Sequence, residues 1–174
     1  QDALFGKGYE MKIMKQLSQT GQWAAEEKVT VRGPKGEYAC RVLGPVRKQT
    51  QVELAFSDGY RLGIDPSIRI SGDLKGSTGC TLIGPKGTVE LAEGAINDLR
   101  HLHISEKEAA EWGVKHDDII SVRVEGPTPV TFHNIHVRVE PGFRLNVHLD
   151  TDEGNAVSLP KTGGVGRLVR EEVE

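Results

Sequence analysis

Apolar residues along this chain come in short alternating runs that glycine and proline interrupt, the pattern of half-buried β-strands. Val29-Thr30-Val31 alternates, Gly33-Pro34-Lys35-Gly36 turns the chain, and Tyr38 to Leu43 returns as a second strand. Val52-Glu53-Leu54-Ala55-Phe56 reads as another strand ended by Ser57-Asp58-Gly59, with Tyr60 to Ile64 as a connector. Ile68 to Ile70 is extended, and Cys80-Thr81-Leu82-Ile83 meets Thr88-Val89-Glu90-Leu91 through a second turn, Gly84-Pro85-Lys86-Gly87. The repeated Gly-Pro-Lys-Gly leaves two readings open: a pair of similar hairpins, or one turn chemistry used twice. In the second half, Ile119 to Val124, Val130 to Phe132, Ile135 to Val139 and Arg144 to Leu149 are the expected strands.

One helix stands out. Ser105, with Glu108 three residues on, predicts a capping box that opens a helix through Ala109-Ala110-Glu111-Trp112 and stops at Gly113. The pattern therefore predicts a mainly β fold of two small β-barrel domains, residues 26–98 and 99–158, with short capping helices. Residues 1–25 are expected to hold a helix end closing on Gly6 and a connector. The start at Gln1, without Met and inside that helix, reads as a chain that has lost its N-terminus. Residues 159–174 form a tail, where Val165 to Glu174 is expected to be a weak amphipathic helix or, preferably, disordered or in contact with a partner.

Composition narrows the function. The 174 residues include 21 glycines and few aromatics, which suits tight turns and short strands. A net charge of −3 gives no electrostatic case for nucleic acid or an anionic membrane. There is no apolar run of transmembrane length and no signal-peptide core. Cys40 and Cys80 lack C-x-x-C spacing and read as free thiols of a reducing cytosol, structural rather than nucleophilic.

The candidate chemistry is in the histidines and in two basic turns. Just before the predicted helix, His101 and His103 fall two apart on a strand and share a face, where two imidazoles can grip one metal ion. His148 would complete a three-histidine set, and the acids Asp150 to Glu153 after it are candidates to support metal-bound imidazoles. His133 and His136, three apart, are expected on opposite faces, and His116 in a solvated turn. Gly44-Pro45-Val46-Arg47-Lys48 carries cations into the strand of Glu53, and Arg47 offers a planar fork for phosphate or carboxylate. Glu53 reads either as a carboxylate needing a partner or as an exposed alternate position. Arg69 heads a similar turn, Arg69-Ile70-Ser71-Gly72-Asp73, as a second anion-binding candidate.

Taken together, Gly44-Pro45-Val46-Arg47-Lys48-Gln49-Thr50-Gln51-Val52-Glu53, Ser71-Gly72-Asp73-Leu74, Arg100-His101-Leu102-His103 and His148-Leu149-Asp150-Thr151-Asp152-Glu153 closely resemble the PduL-type phosphotransacylases. These are the phosphate propanoyltransferases of bacterial microcompartments, and the likeness runs from about residue 3 to residue 156. The resemblance implies two β-barrel domains and a two-zinc site that moves an acyl group between coenzyme A and inorganic phosphate. It implies His101, His103 and His148 as ligands of one zinc, Glu53 as a ligand of the other, and Arg47 as the phosphate-binding arginine. A family His-x-His preceding Gln1 would complete the Glu53 site, so the first zinc site is expected to be incomplete here. A homodimer in the bacterial cytoplasm, inside a microcompartment with its lumen enzymes or shell, is the implied setting. The rival readings are a zinc hydrolase of a thioester or phosphoester and a cupin-like metal-binding module. A cupin would continue in strand and turn where Ser105 opens a helix.

Overall fold

The alternating segments are strands in the computed structural model, which describes residues 1–169. The chain divides into two units, Gln1–Asp98 and Leu99–Glu174. The first contains α1 (Asp2–Phe5), β1 (Ile13–Gln16), β2 (Trp23–Arg32), β3 (Glu37–Gly44), β4 (Val52–Glu53), α2 (Phe56–Leu62), β5 (Ser67–Arg69), β6 (Thr78–Ile83) and β7 (Thr88–Asp98). Its seven strands hydrogen-bond in the order β1-β2-β6-β7-β4, with β3 also on β2 and β5 also on β7. The second contains β8 (His101–Ile104), α3 (Glu106–Trp112), β9 (Ile119–Val124), β10 (Val130–Val139), β11 (Asn146–His148), α4 (Thr151–Ala156) and β12 (Gly166–Val169), with sheet order β11-β8-β10-β9-β12. The fold is mainly β. Neither sheet order returns to its first strand among the described residues. No helix among them is long and apolar enough to cross a membrane.

The two Gly-Pro-Lys-Gly segments do the same work. In each, the first glycine's N–H donates to the last glycine's carbonyl, from Gly33 to Gly36 at 3.0 Å and from Gly84 to Gly87 at 2.9 Å. Each lysine N–H then reaches the end of a short helix: Lys35 donates to the Leu62 carbonyl of α2, and Lys86 to the Leu4 carbonyl of α1, both at 2.9 Å. A Cβ on Gly33 would lie 2.3 Å from the Leu62 oxygen, and one on Gly84 would lie 2.4 Å from the Leu4 oxygen. Glycine is required because a helix end docks on the turn. Each hairpin thereby holds a helix that contributes to the core around Leu4, Phe5, Val31, Leu62 and Leu82.

Several elements differ from the alternation. The Val52–Phe56 strand shrinks to β4, and Phe56 instead opens α2. Ser57-Asp58-Gly59, expected to end a strand, lies inside that helix. Gly59 is there because a Cβ would meet Pro66 Cδ at 2.6 Å and the Ile64 oxygen at 2.7 Å. The helix stops at Gly63, in the left-handed region at φ 70°. Val130–Phe132 and Ile135–Val139 form one strand with a bulge, where Asn134 takes φ 57°. β11 is shorter than the expected Arg144–Leu149 strand, and the acids after it open α4. Part of the tail expected to be helical or disordered is β12, an edge strand against β9. Gly166 allows this approach, since a Cβ there would lie 2.8 Å from Val122 Cγ1. Residues 170–174 of that expectation lie outside the described residues.

The docked turns predict a stability pattern. Gly33→Ala and Gly84→Ala should each destabilise the first unit by about 1–3 kcal/mol, because a backbone carbonyl must give way. Gly154→Ala, in α4 with nothing within 4 Å of the added carbon, should be neutral or stabilising by up to about 1 kcal/mol. Urea titrations of the three variants check this, and equal losses would count against turn docking.

Candidate metal centre

Strand pairing brings the three histidines together. β8 lies between β11 and β10, with His148 opposite His101 and Asn146 opposite His103 on one side. On the other side, His136 pairs with His101 and Arg138 with His103. Leu102 and Ile104 take the alternate positions and face the core with Ile135 and Val137, so the histidines occupy the sheet's other face. The ring centroids of His101, His103 and His148 are 4.6–4.8 Å apart. One nitrogen from each lies within 4.8 Å of the others, a group able to hold a metal ion.

Two capping boxes fix the ends of both ligand-bearing strands. Ser105, two residues after His103, accepts from the Glu108 N–H while the Glu108 carboxylate accepts from the Ser105 N–H. This is the helix expected from the sequence, and it ends at Gly113. Asp150, two residues after His148, does the same with Glu153 at the start of α4. Glu153 also pairs with Arg100 at 2.7 Å. It ties the segment after His148 to the residue before His101. The acids thus position the histidine strands through a cap and an ion pair.

The electrostatics suit metal binding. His101 Nδ1 donates to the Leu99 carbonyl at 2.8 Å, which leaves Nε2 as the lone-pair nitrogen. Both ring nitrogens of His103 and the Nε2 of His148 are buried and have no hydrogen-bond partner among the described residues. Burial pushes His103 down to about 3, with the charges of His101, His148 and Arg138 adding to it. Burial, with His101 and Arg138, pushes His148 down to about 4. Both rings are neutral at pH 7, the form that coordinates. Buried imidazole nitrogens without partners are costly, and a divalent ion taking one lone pair from each of His101, His103 and His148 would lower that cost.

His133 and His136, expected on opposite faces, lie on the same one. The bulge puts Phe132 and Ile135 both in the core, so the two histidines share the other face, and neither joins the trio. His133 Nδ1 lies 2.8 Å from Ser121 Oγ. His116 lies in its turn, but its Nδ1 accepts from the Val139 N–H at 3.1 Å. Burial raises the thiols of Cys40 and Cys80 to about 11, which keeps them protonated.

In the first unit, Arg47, Glu53 and Ser71 meet around a residue to which the sequence reading assigned no role. Gln51 Nε2 donates to Glu53 Oε1 at 2.7 Å and to Ser71 Oγ at 2.9 Å, and its Oε1 accepts from the Gly72 N–H at 2.8 Å. Arg47 Nη1 donates to the same Ser71 hydroxyl at 3.0 Å. Gln51 stands two residues before Glu53, the spacing that puts both on one side of a strand, and that was the available signal. Arg69 is engaged within its own turn, by Asp73 Oδ2 at 3.2 Å and the Lys75 carbonyl at 3.1 Å.

A mainly β chain with a buried three-imidazole centre, followed by a capped helix rather than further strand, defines a metal-competent β protein. Residues 1–160 match the family model described as phosphate propanoyltransferase, and the chain belongs to that family. It is 48% identical over 170 residues to the phosphate propanoyltransferase of Thermotoga maritima, covering 97% of this chain and 80% of that protein. The proteins of the same name from Planctopirus limnophila and Rhodobacter capsulatus are 47% and 46% identical, over 91% of this chain and 66% and 74% of theirs.

The depressed histidines predict acid sensitivity of the metal-free chain. Their folded values lie below the ~6.5 of a solvated imidazole, so the unfolded chain binds protons that the folded chain refuses. Stability is full above about pH 6.5 and is lost as the pH falls towards 4. The thermal midpoint should drop by about 5 °C or more between pH 7 and 5. His103→Gln should flatten that slope, and an unchanged slope would contradict the assignment.

Proposed function

We propose that this chain is a zinc-dependent phosphate acyltransferase. It interconverts propanoyl-CoA or acetyl-CoA plus phosphate with the acyl phosphate plus CoA. The observation that carries the reading is the set of buried, partnerless imidazole nitrogens in a member of this family. His101, His103 and His148 would hold the ion, and three neutral nitrogen donors suit zinc better than magnesium or calcium. Bound there, zinc supplies a Lewis acid at neutral pH. We assign Glu53 to a second zinc as a carboxylate ligand, on the family resemblance and its place in the Gln51 network. The barrel form of the two units, a homodimer, and a microcompartment in the bacterial cytoplasm rest on that resemblance.

In the forward direction a phosphate oxygen attacks the thioester carbonyl, the carbon–sulfur bond breaks, and CoA leaves as a thiolate that takes up a proton. Two anionic reactants must approach one another, so fixed cations are the main requirement. Arg47 is the phosphate-binding arginine in this scheme. Among the described residues it makes no ion pair with a carboxylate, and its Nη1 donates to the Ser71 hydroxyl, which leaves its charge available. Arg69, engaged by Asp73 and Lys75, is the secondary candidate.

Two outcomes are expected. Zinc-loaded protein should release thiol from propanoyl-CoA only when phosphate is present, and a chelator should abolish the release. Equal release with water alone would favour a thioester hydrolase instead. Arg47→Ala should raise the KM for phosphate by about tenfold or more, as loss of a charged hydrogen bond requires. An unchanged phosphate dependence in steady-state kinetics would remove Arg47 from that role.

A further inference from the structure

Among the described residues, Arg138 is the one cation that the register places directly beside a histidine of the centre. It pairs with His103 across β10 and β8, and its neighbours Val137 and Val139 face the core side. The Arg138 side chain therefore stands on the histidine face, about a quarter exposed. Its ion-pair contact among the described residues is to Glu140, at 3.7 Å. That is beyond hydrogen-bond reach, so the guanidinium fork is not used up by this pair.

A positive charge next to a site that would hold a divalent cation is unfavourable when nothing lies between them. With three neutral imidazoles as ligands, the centre has no negative charge of its own to offset the ion. An anion held at the centre removes both problems, because it is attracted by the ion and by the arginine together. The fork of an arginine matches two oxygens of a tetrahedral oxyanion better than a lysine would.

We propose that Arg138 is an anion-binding residue of the three-histidine centre, and that it takes inorganic phosphate there. The assignment rests on the function proposed above and adds a residue to it. Arg138 donates to phosphate oxygens, neutralises part of their charge and limits how the anion turns. The competing role is purely structural, with Arg138 present to pair with Glu140.

The test uses the zinc-loaded full chain and inorganic phosphate, with affinity measured by calorimetric titration in the absence of acyl-CoA and zinc content by elemental analysis. Arg138→Ala should keep its zinc and bind phosphate about tenfold or more weakly, and Arg138→Lys should recover part of the loss. Glu140→Gln should bind phosphate as well as the parent chain or better. Unchanged affinity in a zinc-replete Arg138→Ala chain would overturn the assignment, as would a Glu140→Gln loss equal to that of Arg138→Ala. If the parent chain holds zinc and transfers the acyl group while Arg138→Ala binds phosphate normally, only the assignment fails. A parent chain that takes up no zinc, or no phosphate when loaded, fails the underlying function as well.

Discussion

Three imidazole nitrogens buried without partners are the constraint around which the second unit is arranged. Among the described residues, His103 Nδ1 and Nε2 and His148 Nε2 have no hydrogen bond, and each such atom costs free energy in an apolar setting. One nitrogen from each of His101, His103 and His148 comes together only because β11 and β8 keep a register with His148 opposite His101. A slip of one residue would turn His148 to the core and Val147 outward. The devices around the site all oppose that slip. Two capping boxes stop the strands two residues past His103 and His148. The Arg100–Glu153 pair holds the two segments to one another, with the Arg100 guanidinium over the Phe132 ring at 5.6 Å.

The polar group of the first unit is of a different physical kind. Arg47, Gln51, Glu53 and Ser71 are exposed or half-buried and satisfy one another through hydrogen bonds. Such bonds exchange with water at little net cost, so these side chains can release each other when a ligand offers better partners. The buried imidazoles have no such freedom, since water does not reach their nitrogens. A rigid, unsatisfied set suits a resident ion. An exposed, self-satisfied set suits a substrate that comes and goes.

What could be read from the sequence followed from local rules. The Ser105 capping box, the stop at Gly113 and strand β9 depend on neighbours in the chain, and they stand as expected. The shared face of His101 and His103 needed only strand periodicity. The misses needed distant partners. Gly59 sits in a helix because Pro66 and Ile64 crowd it, although in sequence Ser-Asp-Gly reads as a turn. β12 is a strand because β9 offers an open edge. The Gly-Pro-Lys-Gly repeat was visible, but its meaning lay in helix ends far away in sequence, Leu4 and Leu62.

The bulge in β10 shows how one unpredicted residue changes chemistry. From Phe132 in the core, strict alternation would carry residues 134, 136 and 138 inward. Asn134, in the left-handed conformation that asparagine tolerates better than most residues, is the extra residue that shifts the phase. The register moves from Phe132 opposite Val122 to Ile135 opposite Ile120, so Ile135 and Val137 become the core residues. His136 and Arg138 then pass to the face of β8 that bears His101 and His103. Without the bulge, β10 would bury a guanidinium in the hydrophobic core, at a cost no partner there could offset. With it, the same strand packs the core with Ile135 and Val137 and supplies a cation to the histidine face.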